Sequence, residues 1–206
     1  MAPGCSQRVA QLGRLCFAMS HNASRRAWTE EEFFRWLERQ EERYELVDGE
    51  PRTLPETGQR HNRLVSHLFG ALFRRLRDDG CRCVLWNTAL RIPGGNLRYP
   101  DVLVDEASYQ PCDLAARNPV LVADVLSPST RVFDDTWKLE EYPGVPMLRH
   151  ILVLDPEEPR ARLHSRGSEA EDWDWRLLRG EAAEVALPAL GVALTLGECY
   201  GAERPA

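Results

Sequence analysis

A run of eight residues, Pro119 to Leu126, constrains the fold more than any other feature of the chain. It is apolar except for Asp124, and its length suits a strand better than a helix. Near-continuous apolar strands are covered on both faces, as at the centre of a sheet packed between helices. An ionised carboxylate in such a strand is costly unless it is paired or holds a metal. Asp124 is therefore the first candidate for chemistry. Asp101 is the second, because it lies in Pro100-Asp101-Val102-Leu103-Val104, inside a strand read from Arg98 to Val104. Two strand carboxylates that meet make a hard oxygen site suited to Mg²⁺. The alternative for each acid is an arginine or a backbone N–H.

Of the 26 basic residues, Lys138 is the only lysine. A position that keeps lysine in an arginine-writing chain is a candidate for what arginine cannot supply: a compact ammonium with three rotatable donors. Asp134, Lys138 and Tyr142 are spaced i, i+4, i+8 and share a helix face. The bland alternative is a surface Asp134–Lys138 pair, worth a few tenths of a kcal/mol.

The remaining pattern supplies the surroundings. Thr29 to Glu32 is a capping box, and Phe33, Phe34, Trp36 and Leu37 follow as a helical face to about Gln40. Tyr44 to Val47 and Glu50 to Leu54 read as strands joined by an Asp48-Gly49 hairpin turn. A helix is expected from Gln59 to Arg77, and strands over Cys83–Ile92, Arg98–Val104 and Pro119–Leu126. A helix over Val132–Tyr142 follows, stopped by Pro143-Gly144. His150–Leu154, Arg160–Ser165, Trp173–Leu178 and Val185–Leu196 read as further strands. This order implies an α/β fold with a mixed central β-sheet flanked by α-helices.

The 206 residues suit one substantial domain. Residues 1–27, with four arginines and no acid, read as an N-terminal extension without fixed structure, leaving 28–206 as the domain. No apolar run approaches the roughly 18 residues of a membrane span. The six cysteines have no zinc spacing, so reduced thiols in the cytoplasm are expected. The net charge of −6 argues against a protein that grips nucleic acid mainly through a basic face. P-loop, dinucleotide-binding, GxSxG and HExxH patterns are absent. The six tryptophans read as core and edge packing rather than a base-stacking platform.

Taken together, Arg43-Tyr-Glu-Leu-Val-Asp-Gly-Glu50, His61, Arg98-Tyr-Pro-Asp101, Val122-Ala-Asp-Val-Leu-Ser-Pro-Ser-Thr130, Asp134-xxx-Lys138-xxx-Tyr142 and Leu152-Val-Leu-Asp155 resemble the Uma2 family. This is a group of restriction-endonuclease-like proteins in the PD-(D/E)XK nuclease superfamily. The likeness runs from about residue 28 to 200 and rests on motif order and spacing. It implies a restriction-endonuclease-like core and a Mg²⁺-dependent (or Mn²⁺-dependent) endonuclease that hydrolyses DNA. By position it assigns Asp101, Asp124 and Glu45 as catalytic and metal-binding acids and Lys138 as the catalytic lysine. Two departures stand out: Asp124 replaces the more usual Glu, and Leu126 occupies the superfamily's lysine position, so Lys138 on the next helix takes that role. His61 either contacts phosphate or caps its helix, and Glu45 is otherwise a solvent-facing hairpin residue. The alternatives to an active enzyme are a silent nuclease fold that binds nucleic acid or protein, or a nuclease subunit needing a DNA-recognition partner. A homodimer is a further possibility for the assembly.

Overall fold

The fold is given by a computed structural model that describes residues 26–77, 83–108, 110–126 and 138–201, without the side chains of Cys83 and Lys138. Asp134, most of the N-terminal extension and the stretch expected to be helical from Val132 to Trp137 lie outside the described residues.

Helix α1 (Glu30–Leu37) starts at the expected capping box: the Glu32 N–H donates to Thr29 Oγ1, and the Thr29 N–H donates to Glu32 Oε2. Strands β1 (Tyr44–Val47) and β2 (Glu50–Thr53) form the hairpin. Asp48 and Gly49 both take positive φ, 52° and 74°. That combination defines the turn type whose twist matches a hairpin. Helix α2 (Gln59–Leu76) buries Leu64, Leu68, Ala71, Leu72 and Leu76, the apolar stripe its spacing dictates.

The stretch expected to be one strand from Cys83 to Ile92 is two, β3 (Cys83–Leu85) and β4 (Leu90–Arg91). Arg98–Val104 is likewise divided, into β5 (Leu97–Arg98) and β6 (Val102–Asp105). In both places the chain changes sheets. β4 and β5 belong to a four-stranded sheet ordered β2-β1-β5-β4, while β3 and β6 belong to a six-stranded one.

The larger sheet is completed by β7 (Pro119–Val125), β8 (His150–Leu154), β9 (Arg160–Ser165) and β10 (Asp174–Arg179), in the order β10-β9-β8-β7-β6-β3. The β7–β8 pair is parallel and its neighbours are antiparallel, so the sheet is mixed. Every residue of β7 is buried, as its composition requires. On one face Leu121, Ala123 and Val125 meet α2, and on the other Val122 meets Tyr142, Leu148, Ile151 and Val153.

Helix α3 (Lys138–Glu141) runs into a 3₁₀ turn over Tyr142–Gly144. The final stretch expected as one strand is instead a small hairpin, β11 (Glu184–Leu187) and β12 (Val192–Thr195), followed by helix α4 (Leu196–Tyr200). Among the described residues, no helix is long and apolar enough to cross a membrane.

Candidate active site

Asp101 stands one residue before β6, and the register Val102↔Ala123 brings it abreast of Asp124 on β7. The Val125 N–H donates to Asp101 Oδ2 at 2.8 Å, tying the first acid to the strand of the second. His61, in the first turn of α2, lies with Nε2 3.1 Å from the same oxygen. Burial works against a charge on His61, but Asp101, Asn62 and Asp124 outweigh it and the imidazole pKa is raised.

Asp124 is 6% exposed and projects to the face of β7 opposite α2. There the Tyr142 hydroxyl donates to its Oδ2 at 2.9 Å. Burial, then the charge of Asp124, hold the Tyr142 phenol well above its ordinary pKa, so it stays a donor. The bland fate for a strand acid is visible nearby: Asp105 at the end of β6 accepts from the N–H groups of Ala107, Arg117 and Asn118.

Glu45 is 4% exposed and does not face solvent. Its Oε1 accepts from the Tyr99 N–H at 3.0 Å, and its Oε2 from Arg98 Nη1 at 3.0 Å. Arg98 also grips Glu141 of α3 in bidentate fashion, through Nε and Nη2, both at 2.7 Å. Asn96 Nδ2 adds a contact to Glu141 at 3.0 Å. Burial opposes the charge on Arg98, and Glu141 and Glu45 together more than restore it, raising its pKa. A planar fork suits two carboxylates in a way a lysine would not.

The structure thus brings Asp101, Asp124 and His61 together and joins Tyr142 to them. It places Glu45 alongside, committed to Arg98 and Tyr99. Lys138 heads α3, four residues before Tyr142. Among the described residues, no trio of His, Cys, Asp or Glu is placed to hold a metal ion. Mg²⁺ nevertheless binds characteristically through one or two carboxylates and keeps several waters. The Asp101–Asp124 pair meets that requirement, so the donor set fits.

Arg98, Glu141 and Tyr142 were not foreseen as site residues. Tyr142 had a signal, its helical spacing from Lys138. The Arg98–Glu141 pair spans 43 residues and had none.

The Uma2 family profile, described as "putative restriction endonuclease", matches residues 30–197. This chain belongs to the Uma2 family. Two Synechocystis sp. (strain ATCC 27184 / PCC 6803 / Kazusa) proteins are similar to it. "Uncharacterized protein slr1290" is 29% identical over 82% of this chain and 90% of its own length. "Uncharacterized protein sll1609" is 28% identical over 79% and 94%. Among solved structures, a "putative nuclease belonging to DUF820" from Anabaena variabilis ATCC 29413 aligns with a TM-score of 0.63. The alignment covers 84% of the Uma2 chain and 97% of the other, at 16% identity, a likeness of fold.

Proposed function

We propose that this Uma2 protein is a Mg²⁺- or Mn²⁺-dependent endonuclease that hydrolyses phosphodiester bonds in DNA, working in the cytoplasm. The observation that carries the reading is the meeting of Asp101 and Asp124 across β6 and β7 in a nuclease-like fold. These two carboxylates would hold the cation, which when bound lowers the pKa of a water and offsets phosphate charge.

The chain's own residues orient the pair. His61 and the Val125 N–H fix Asp101, and the protonated Tyr142 hydroxyl fixes Asp124. Lys138 would bring its ammonium to the phosphate and stabilise charge that develops in the transition state. His61, whose Nε2 lies beside Asp101, is the second candidate contact for that phosphate. Glu45 acts through Arg98 on α3, which carries Lys138 and leads to Tyr142. It is a positioning residue in this reading.

The test is incubation of the pure protein with supercoiled plasmid and with single-stranded circles, plus Mg²⁺ or Mn²⁺. Asp101→Ala, Asp124→Ala and Lys138→Ala run alongside. Cleavage by the wild type that all three lose is expected. Cleavage that survives Asp101→Ala would overturn the assignment. The net charge of −6 favours one second reading, a nuclease subunit that borrows DNA recognition from a partner. It predicts cation binding without turnover until the partner is added.

A further inference from the structure

Trp175 is 55% exposed and Leu177 is 40% exposed, although both stand on a strand of the main sheet. Large apolar side chains kept in water on a sheet face call for an occupant. β10 is the edge of the six-stranded sheet, and its register settles which face it presents. Asp124 pairs with Val153, Val153 with Arg162, and Arg162 with Leu177. Paired residues project from the same face. Arg162 and Leu177 therefore share the face of the Asp124 carboxylate. By the same ladder Val122, Ile151, His164 and Trp175 share it, and Arg160 and Arg179 continue it at the far end.

The row is aromatic and cationic. The Arg162 guanidinium carbon lies 5.2 Å from the Trp175 ring centroid. The His164 ring is 6.4 Å from it, inclined by 29°. Arg160 is held by Asp155 and Glu158, and Arg179 ends the row exposed. Three inter-strand steps of about 4.8 Å separate β10 from β7, and between them Ile151 and Val153 of β8 are buried with Tyr142 and Leu148, so the open part of this face is β9 and β10.

The geometry points to the β9–β10 face as the docking surface for single-stranded nucleic acid, with an unpaired base on Trp175 and phosphates at Arg162 and Arg179. A base must be unpaired and unstacked to offer its ring to a tryptophan, so a single strand fits the site better than a duplex. That the bound strand is the substrate of the paired acids rests on the nuclease reading, whereas the binding itself does not.

The experiment measures anisotropy of a short labelled oligodeoxynucleotide of mixed sequence, with full-length protein in EDTA so that binding is read without cleavage. Trp175→Ala should weaken binding about tenfold, and Trp175→Phe should recover most of it. Arg162→Ala with Arg179→Ala should make log K less steep in log salt by about 1.4, the loss of two single-strand phosphate contacts. The annealed duplex should bind more weakly than the single strand. The proposal is overturned if Trp175→Ala binds like the wild type, or if the duplex binds more tightly than the single strand. It is equally overturned if the wild type binds no oligonucleotide, or if Trp175→Ala changes only the sedimenting mass, which would assign the edge to a second copy of the chain. Plasmid cleavage with Trp175-independent binding sinks this inference alone. Trp175-dependent binding by a protein that cuts nothing sinks only the reading of this chain as a nuclease acting alone.

Discussion

Arg98 is buried with two carboxylates around it, Glu45 from the hairpin and Glu141 from α3. Removing one partner of a buried ion pair strands the other, at about 3–5 kcal/mol. Arg98→Ala is therefore expected to lower Tm by about 10 °C in a domain of this size, read by calorimetry. Arg98→Lys should lose less stability yet still loosen α3, because an ammonium cannot make the bidentate contact with Glu141. His150 gives a pH signature instead. It is fully buried, its Nε2 accepts from the Ala189 N–H, and Nδ1 lies 2.9 Å from Ser165 Oγ. Burial, then the charge of Arg149, depress its pKa from 6.5 to about 4. Above pH 6.5 folded and unfolded chains both carry it neutral, and it costs nothing. Between there and about pH 4 only the unfolded chain takes up the proton, so stability falls with pH, by roughly 3 kcal/mol in all. His150→Gln should lose less stability than the wild type between pH 7 and 4.5 in urea melts. An equal loss would remove His150 as the cause.

At the scale of elements, the hairpin turn gives the sharpest contrast. Gly49 sits at φ +74°, and a Cβ there would collide with Ala27 Cβ and lie 2.9 Å from Ala27 Cα. Its carbonyl also accepts from the Trp28 N–H, pinning the lead into α1. Gly49→Ala should cost at least about 1 kcal/mol in a denaturant midpoint. Gly58, the N-cap of α2, has open space and no side-chain cap bond, so Gly58→Ser should gain a few tenths of a kcal/mol. The elements readable in advance were those with local punctuation: the capping box at Thr29, the Asp48-Gly49 turn, the apolar stripe of α2 and the all-buried β7. Apolar periodicity is blind to a change of sheet, which is why Cys83–Ile92 and Arg98–Val104 each read as one strand. Pro100, with no N–H to give a ladder, was a usable warning at the second break. Asn87, at φ 53°, lies within the first. Helix α4 was overlooked although Thr195 and Glu198 form a capping box, because Val192, Leu194 and Leu196 alternate as a strand would.

Across the whole molecule, the site draws on α2, on the short passage from the small sheet to the large one, on β7 and on the turn after α3. Burial of a strand acid is a local signal, so the setting of Asp124 could be read from its own neighbours, whereas Asp101, expected inside a strand, stands just before β6 and is half-buried. The burial of Glu45 and its tie to Arg98 depend on β1 lying against β5, with Leu46 paired to Leu97, and no short window holds that information. A cation held by the two acids must stabilise the entire fold by mass action, by about 2.7 kcal/mol at a hundredfold excess over its Kd. Mg²⁺ or Mn²⁺ should therefore raise Tm in the wild type and leave Asp124→Asn unmoved; an equal rise in both would place the cation elsewhere.

The two acids also arrive in a fixed order as the chain is made. Asp101 emerges first, and its partner comes on β7, which must then be flanked by β8 from beyond residue 149. A growing chain, or one cut short before β7, carries Asp101 with nothing abreast of it. The carboxylate pair is therefore a property of the finished sheet, and incomplete copies of this protein leave the ribosome without it.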